Sequence, residues 1–575
     1  MKLRWLLLWL SVCGVCGACA AQPVSAAWLG VCDSAAAERS GRVLAEYTSP
    51  QGMSTRLIVR ATPIPGCAAV ELPVAADRVL AGGLVSPGLA AALAPGFALI
   101  GRAGDEGLQV GEIAQPDERS ALTRVAAGLE LSGELSVSIF GVEGRAAVRR
   151  ESQHIVLECG AGSEAAGMLM RLPYRGVPRG IALAVSLAYT ADREFRWGLS
   201  DASLAARGEP LPLPALTAAT ATNQVALPAK GFDPDSVESF TIVCPPEAAR
   251  FELRSFRLEP KDAPPVRMAS RALWAWDPNL WMQAPGALLD RLARAAADTV
   301  FMTVPLAADQ AMVAQHGALR AFVEAAGRRG VRVWAVVGDP GAVIESERAS
   351  FARFPAAYSR YNSAVPAEAR LAGIQYDVEP YLNAAYALDA VPWNEAYLAT
   401  MLQLRRAADL PVDIAVPFWW ADQQTPGGPL IDRLAAVADS VTVMDYHTSP
   451  ALIKRFAQPF LEWGVRHARA VRIALESGPI ADSPQIVYRP AAAGEVALVA
   501  IGAHRVLLRF DHALPLAGFS QAMQTYAASH TVTIPGSRTT FAGRRDELLA
   551  LLPELERLWS AWPAFAGVAL HEFEP

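Results

Sequence analysis

Cysteine is scarce in this chain, with 7 among 575 residues and none beyond Cys244. Their spacings match no zinc motif, so neither a metal centre nor another cofactor is expected. Positive charge is also in short supply. The 51 Lys and Arg against 57 Asp and Glu leave a formal charge of −6. No basic run interleaved with aromatics occurs, which argues against a nucleic-acid partner. Long apolar runs are missing too. After the first twenty residues no stretch reaches the ~20 apolar residues of a membrane helix, so the mature chain is expected to have no transmembrane helix. What remains is a globular composition, 52% hydrophobic with 14 Trp, and a length that suits roughly three domains.

The start of the chain differs from the rest. Met1-Lys2-Leu3-Arg4 is short and positive, Trp5 to Leu10 is apolar, and Ala18-Cys19-Ala20 has a small-x-small cleavage pattern. This reads as a signal peptide over residues 1–20, ahead of the blander reading as a single-pass anchor, and implies a periplasmic or secreted protein. Cys13, Cys16 and Cys19 leave a lipid anchor open as the second choice. Four cysteines remain after removal. An even number in an exported chain suggests disulfides, most simply Cys32–Cys67 and Cys159–Cys244, although four cysteines allow three pairings.

Residues 28–150 alternate short apolar runs, such as Arg56–Arg60 and Leu135–Ile139, with turn residues. They are expected to form a β-rich module of unknown role. Residues 151–262 carry strand-length runs at Ile155–Leu157, Met168–Leu172, Ile181–Leu187, Phe195–Leu199, Phe240–Val243 and Phe251–Leu258, which suggests an antiparallel sandwich. Its last two runs resemble the closing strands of jelly-roll carbohydrate-binding modules; a structural spacer is an equal alternative. Lys261–Pro265 reads as a linker.

From about residue 266 the periodicity changes. Strands are expected at Ala272–Trp276, Val300–Val304, Val331–Val337, Gly373–Glu379, Val412–Val416, Val441–Met444, Val471–Leu475 and Ala566–Leu570, with helical patterns between them. Leu319, Phe322, Val323 and Ala326 show the spacing of one buried helix face. Eight alternations predict a (β/α)8 barrel over 266–575, with a small β insertion at about 486–511. Because the chain ends directly after the eighth strand, the closing helix is expected to be missing or borrowed. Active sites of such barrels lie at the C-terminal mouth of the strands. Residues expected there include Trp276, Asp277, Asp377, Glu379, Trp419, Trp420, Asp445, Tyr446, His447, Glu476, His571 and Glu572. Asp377 and Glu379 stand two apart on one strand and so share a face. Acids among aromatics suit sugar chemistry: rings stack on pyranose faces, and a carboxyl with a raised pKa moves protons. His447 and His571 lack neighbouring ligand motifs and read as polar rim residues rather than metal ligands. The blander alternatives are an ion pair for the two acids and core packing for Trp419 and Trp420.

The stretch Ala372-Gly373-Ile374-Gln375-Tyr376-Asp377-Val378-Glu379 resembles the fourth strand of glycoside hydrolase family 18, the chitinase-like barrels, which reads Asp-Gly-x-Asp-x-Asp-x-Glu. Met444-Asp445-Tyr446-His447 is similar to that family's Met-x-Tyr-Asp. The resemblance covers roughly residues 270–575. It implies that Glu379 protonates the leaving oxygen, while Asp377 and Tyr446 orient the substrate's N-acetyl group as that group attacks the anomeric carbon. Trp276, Asp277, Trp419, Trp420, Asp445, His447, Glu476, His571 and Glu572 are expected to be substrate-binding from their place at the mouth. Ala372 and Gln375 stand where the family has Asp, and His571-Glu572 where it has Trp. These departures point to a bacterial or envelope polysaccharide rather than plain chitin. Two alternatives stay open: a retaining glycosidase with Glu379 as acid/base and Glu476 as nucleophile, and a catalytically inactive carbohydrate-binding or scaffold protein of the envelope.

Overall fold

A computed structural model describes residues 27–33, 41–93, 99–104, 107–112, 124–152, 154–261, 270–308, 311–518 and 522–573. The expected signal peptide, its three cysteines and most of the expected linker lie outside the described residues. The chain forms two compact units.

The first unit joins two stretches that are far apart in sequence, 53–113 and 485–532, with the residues before Thr48. One four-stranded sheet runs in the order Arg42–Thr48, Ser54–Arg60, Ala27–Cys32, Ala68–Leu72. The second sheet has seven strands. It mixes Val79–Val85, Leu99–Gly104 and Gly107–Glu112 with His504–Pro515, Ala493–Ile501, Ala522–Ile534 and Ser483–Ala491. The insertion expected at 486–511 is therefore no separate module. Val506 pairs with Leu84 and Ile486 with Gly101, and Ala522–Ile534 adds a strand beyond the expected range. Strand pattern in a sequence marks which face is apolar but not which edge another strand will take. Leu29, Val31, Leu57 and Val59 share one core with Val499, Val506, Leu508 and Phe510, and a disulfide links Cys32 to Cys67.

The second unit holds a sandwich and a barrel. The sandwich has two five-stranded antiparallel sheets and a Cys159–Cys244 disulfide. Both disulfides thus have the simplest of the three pairings. The sandwich takes in Ser136–Gly141 and Ala146–Glu151, which the sequence reading assigned to the preceding module. It also has strands at Leu211–Leu216 and Ala219–Ala226. The latter alternates Ala and Thr with polar residues, too weakly apolar to be recognised from pattern. Tyr189, Phe195, Trp197, Phe240, Phe251 and Phe256 are all buried between the sheets. Among the described residues no sandwich aromatic is fully exposed. Its solvent face instead carries ion pairs such as Arg149–Glu158 and Arg254–Glu252.

The barrel is closed, with eight parallel strands. They are Arg271–Ala275, Thr299–Thr303, Arg332–Val337, Gly373–Tyr376, Val412–Pro417, Ser440–Met444, Ala470–Glu476 and Phe565–His571. Closure is made where Ala272 pairs with Ala569. Helices including His316–Arg328, Ala390–Ala407, Pro450–His467 and Arg545–Trp559 occupy connections between strands. The strands read as near-continuous apolar runs because both faces are buried. Outward residues such as Val300, Met302, Ile374 and Ile414 pack beneath helix residues such as Leu319, Phe322, Leu461 and Leu552. Inward residues form a separate cluster of Ala272, Trp274, Phe301, Val336, Ala474 and Ala569, with Trp276, Trp334 and Tyr446 at its edge. Gly373 is required by one of those rings: a Cβ there would lie 2.2 Å from the Trp334 indole. The alternation of faces matters for the site, because it decides which side chains at the strand ends look into the barrel.

Candidate active site

The fourth strand ends at Tyr376, and the chain runs on through Asp377 and Glu379 into a single turn, Pro380–Leu382. Asp377 and Glu379 continue the inward set begun by Gln375. Both are partly buried. Asp377 is pushed up to about 7, first by burial and then by the charges of Glu379 and Asp413, with His571 opposing the rise. Its Oδ1 is buried with no hydrogen-bond partner among the described residues. Burial likewise raises Glu379, against the hydrogen bond that Tyr381 donates to its Oε1. A carboxyl held protonated near neutral pH beside a second carboxyl is the arrangement general acid catalysis needs.

Beneath the pair lies a polar network inside the barrel. Trp274 Nε1 donates to Gln375 Oε1 at 2.7 Å, and Gln375 Nε2 donates to Asp413 Oδ2 at 2.7 Å. Thr442 Oγ1 donates to the same oxygen at 2.8 Å, and Ser440 serves Asp413 Oδ1. Asp413 is fully buried; burial raises its pKa, with the Arg472 charge and these hydrogen bonds opposing. The neutral Gln375 is thus held at its oxygen by Trp274 and at its nitrogen by a buried acid from the next strand.

The other strands bring Trp276, Tyr446, Glu476 and His571 to the same interior. The Tyr446 ring stacks on His571 with centroids 6.0 Å apart. Burial raises the Tyr446 hydroxyl well above its ordinary pKa, and the charges of Glu476, Asp377, Glu379 and Glu572 add to this. His571 Nδ1 lies 2.8 Å from Glu476 Oε2, and Trp276 Nε1 lies 2.9 Å from His571 Nε2. Asp277 and Glu572 sit exposed at the rim, where they line a cavity of 670 Å³ together with Trp274, Trp276, Arg291 and Arg545. Asp377 and Glu379 do not line that cavity.

Several expected ligand residues sit elsewhere. Trp420 is 0% exposed and packs edge-on against Tyr397, so it has no face for a sugar. It lies in a short 3-10 turn after the fifth strand, Phe418–Asp422, which sends adjacent tryptophans in different directions. Trp419 stays partly exposed and meets Tyr381 and Tyr386 edge-on, at 5.2 and 6.2 Å. Asp445 is fully buried, because it stands one position off the inward register of Tyr446. Burial lifts it to about 6, and its Oδ1 lies 2.6 Å from His447 Nδ1. His447 in turn lies flat on Phe456 and edge-on to Phe418, which makes it a braced residue rather than a rim residue. Glu476 is 5% exposed, and both oxygens are engaged: Oε1 accepts from Gly478 N at 2.6 Å and Oε2 faces His571. The carboxylate is thus held by one partner on each oxygen.

Sequence reasoning passed over Tyr381, although it ends the same stretch two residues after Glu379. It also passed over Asp413, whose only signal was an acid inside an otherwise apolar strand. Among the described residues no His, Cys, Asp and Glu form a group able to hold a metal ion, and no helix is long and apolar enough to cross a membrane. Two disulfides are compatible with an extracellular or periplasmic protein.

One consequence for stability follows from Asp377. Its folded-state pKa lies above the model-peptide value, so its contribution is retained at low pH and lost as pH rises toward about 7. Asp377→Asn is therefore expected to raise the melting temperature at about pH 8 and to leave it nearly unchanged at about pH 4. Thermal unfolding at the two pH values checks this.

No family model matches the chain, and no curated protein matches it. Solved structures do. A chitinase from Chromobacterium violaceum is 13% identical, with 52% of this chain and 93% of that one covered and a TM-score of 0.27. A mutant of catalytic domain 2 of the Group II chitinase of Ostrinia furnacalis, solved with an N-acetylglucosamine oligomer, is 10% identical, with 53% and 89% covered and a TM-score of 0.28. A family 29 carbohydrate binding module mutant is 9% identical, with 21% and 79% covered and a TM-score of 0.17.

Proposed function

We propose that the chain is an exported glycoside hydrolase whose (β/α)8 barrel cleaves an N-acetylhexosamine-containing bacterial or envelope polysaccharide. The observation that carries this reading is the Asp377–Glu379 pair. Two carboxyls end one barrel strand on the same face, and burial raises both above the ordinary carboxylate range. Glu379 would hold the proton and deliver it to the glycosidic oxygen, with the Tyr381 hydroxyl fixing its carboxyl. Asp377 would orient the acetamido group and stabilise the positive charge that develops as its oxygen attacks the anomeric carbon. Tyr446 would hold the same group from the end of the sixth strand.

The retaining alternative would have Glu476 attack while its carboxylate stays held by the Gly478 N–H and His571. Among the described residues no sandwich aromatic is fully exposed, and glycan contact is assigned to the barrel.

Release of reducing ends from a panel of bacterial polysaccharides, with and without N-acetylated sugars, tests the proposal. The expected result is release from N-acetylated members and little from the others. Binding of a glycan without release would shift the assignment to a carbohydrate-binding protein. Equal release from sugars without the N-acetyl group would remove the substrate-assisted route.

A further inference from the structure

Glu476, His571 and Trp276 come from the seventh, eighth and first strands and meet in one line of hydrogen bonds. The indole N–H of Trp276 can only donate, so His571 Nε2 must be the accepting nitrogen. The ring proton then sits on Nδ1 and is donated to Glu476 Oε2. Glu476 is itself fixed by the Gly478 backbone N–H. A side chain at position 478 would interfere, since a Cβ there would lie 2.6 Å from Glu572 Oε2 and 3.1 Å from Glu476 Oε1. The same imidazole stacks on Tyr446 and meets Trp274 edge-on at 5.5 Å. One ring therefore touches three aromatics of the mouth.

We propose that the Glu476–His571 pair is a positioning device, which holds the Trp276 indole and the Tyr446 ring in place for a glycan and works only while the imidazole is neutral. The use of those two rings by a glycan rests on the hydrolase reading above. The positioning itself does not.

Protonation puts a second N–H on the ring, opposite the indole N–H, and the Trp276 hydrogen bond is lost. The groups facing His571 set where this happens. Glu476 lies on the seventh strand, Glu572 follows His571, Asp377 and Glu379 end the fourth strand, and Tyr446 follows the sixth. Burial alone would lower the imidazole pKa, but the Glu476 hydrogen bond and the charges of Glu476, Glu572 and Asp377 outweigh it, and the net shift is upward. The indole is thus held at high pH and released as pH falls through that raised value.

The test uses the full chain labelled with fluorotryptophan, with the Trp276 fluorine resonance assigned by its loss in Trp276→Phe. In the wild type that resonance should move between about pH 8 and about pH 5, with the midpoint of the His571 ring. His571→Gln places an amide oxygen near the Nε2 position and cannot titrate, so its Trp276 signal should stay at the high-pH position. His571→Asn is too short to supply that acceptor, and its signal should already stand at the low-pH position. The Asn variant should also bind an N-acetylglucosamine oligomer about five- to tenfold more weakly than the Gln variant, the equivalent of one hydrogen bond. A Trp276 signal that ignores pH in the wild type, or that titrates alike in both variants, overturns the proposal. A signal that behaves as expected in protein that binds no oligomer supports the positioning and counts against N-acetylglucosamine as the sugar the barrel takes.

Discussion

Glu379→Gln is expected to reduce polysaccharide hydrolysis by about a thousandfold while leaving the fold intact, the scale of a lost general acid. The amide keeps the size of the carboxyl and can still accept the hydrogen bond from Tyr381, so the turn Pro380–Leu382 loses little. What it cannot do is give a proton to the departing oxygen. The change also removes the like charge beside Asp377, one of the causes of that residue's raised pKa. Substrate affinity should consequently hold or improve while turnover collapses. Steady-state rates and the melting temperature, measured on the same preparation, separate this outcome from unfolding. A variant retaining more than about a tenth of wild-type turnover would take the acid role away from Glu379.

The second large effect is the pH dependence. Asp377 titrates at about 7 and Glu379 above its ordinary value, each raised first by burial. Two carboxyls that interact this closely lose their protons as a pair rather than singly. The proposed reactive form carries one proton shared by the pair, and Glu379 is the carboxyl that delivers it. As pH rises past the upper step that proton leaves, and the rate should fall about tenfold for each further pH unit. The sign is fixed by the raised carboxyls: activity is kept on the acid side of neutrality and lost on the alkaline side. Asp377→Asn removes the carboxyl that titrates at about 7 and leaves Glu379 to titrate alone. Its alkaline limb should shift to lower pH, together with a loss of rate from the unsupported acetamido group. A kcat/KM profile with an alkaline limb unmoved in Asp377→Asn would show that the two acids are not coupled.

The barrel was legible because its strands are buried on both faces and separated by helix-period stretches, so all eight stand out from the residues alone. The Asp377–Glu379 pair was legible for a related reason: period-two spacing puts both acids on the inward face that Gln375 begins. Period two also marks the failures. Asp445 is one position out of register with Tyr446 and is buried behind the strand, and Trp420 is turned into the helix-side core by the short helix that follows Pro417. A residue type at a strand end does not reveal which way the backbone carries it after the strand stops. The first unit shows the same limit on a larger scale. Its apolar runs were recognised as strands, yet the pairing of Val506 with Leu84 joins segments more than four hundred residues apart, and nothing local in either run announces the partner. Glu476 was legible as a mouth residue, but its two hydrogen bonds depend on Gly478 and His571, whose approach only the folded chain defines.

The most direct test is a crystal structure of Glu379→Gln with an N-acetylglucosamine oligomer bound. The account predicts an acetamido group within about 3.2 Å of both Asp377 and the Tyr446 hydroxyl, with the glycosidic oxygen facing the residue 379 amide at hydrogen-bond distance. An oligomer seated elsewhere, or one whose acetamido group points away from Asp377, would contradict it.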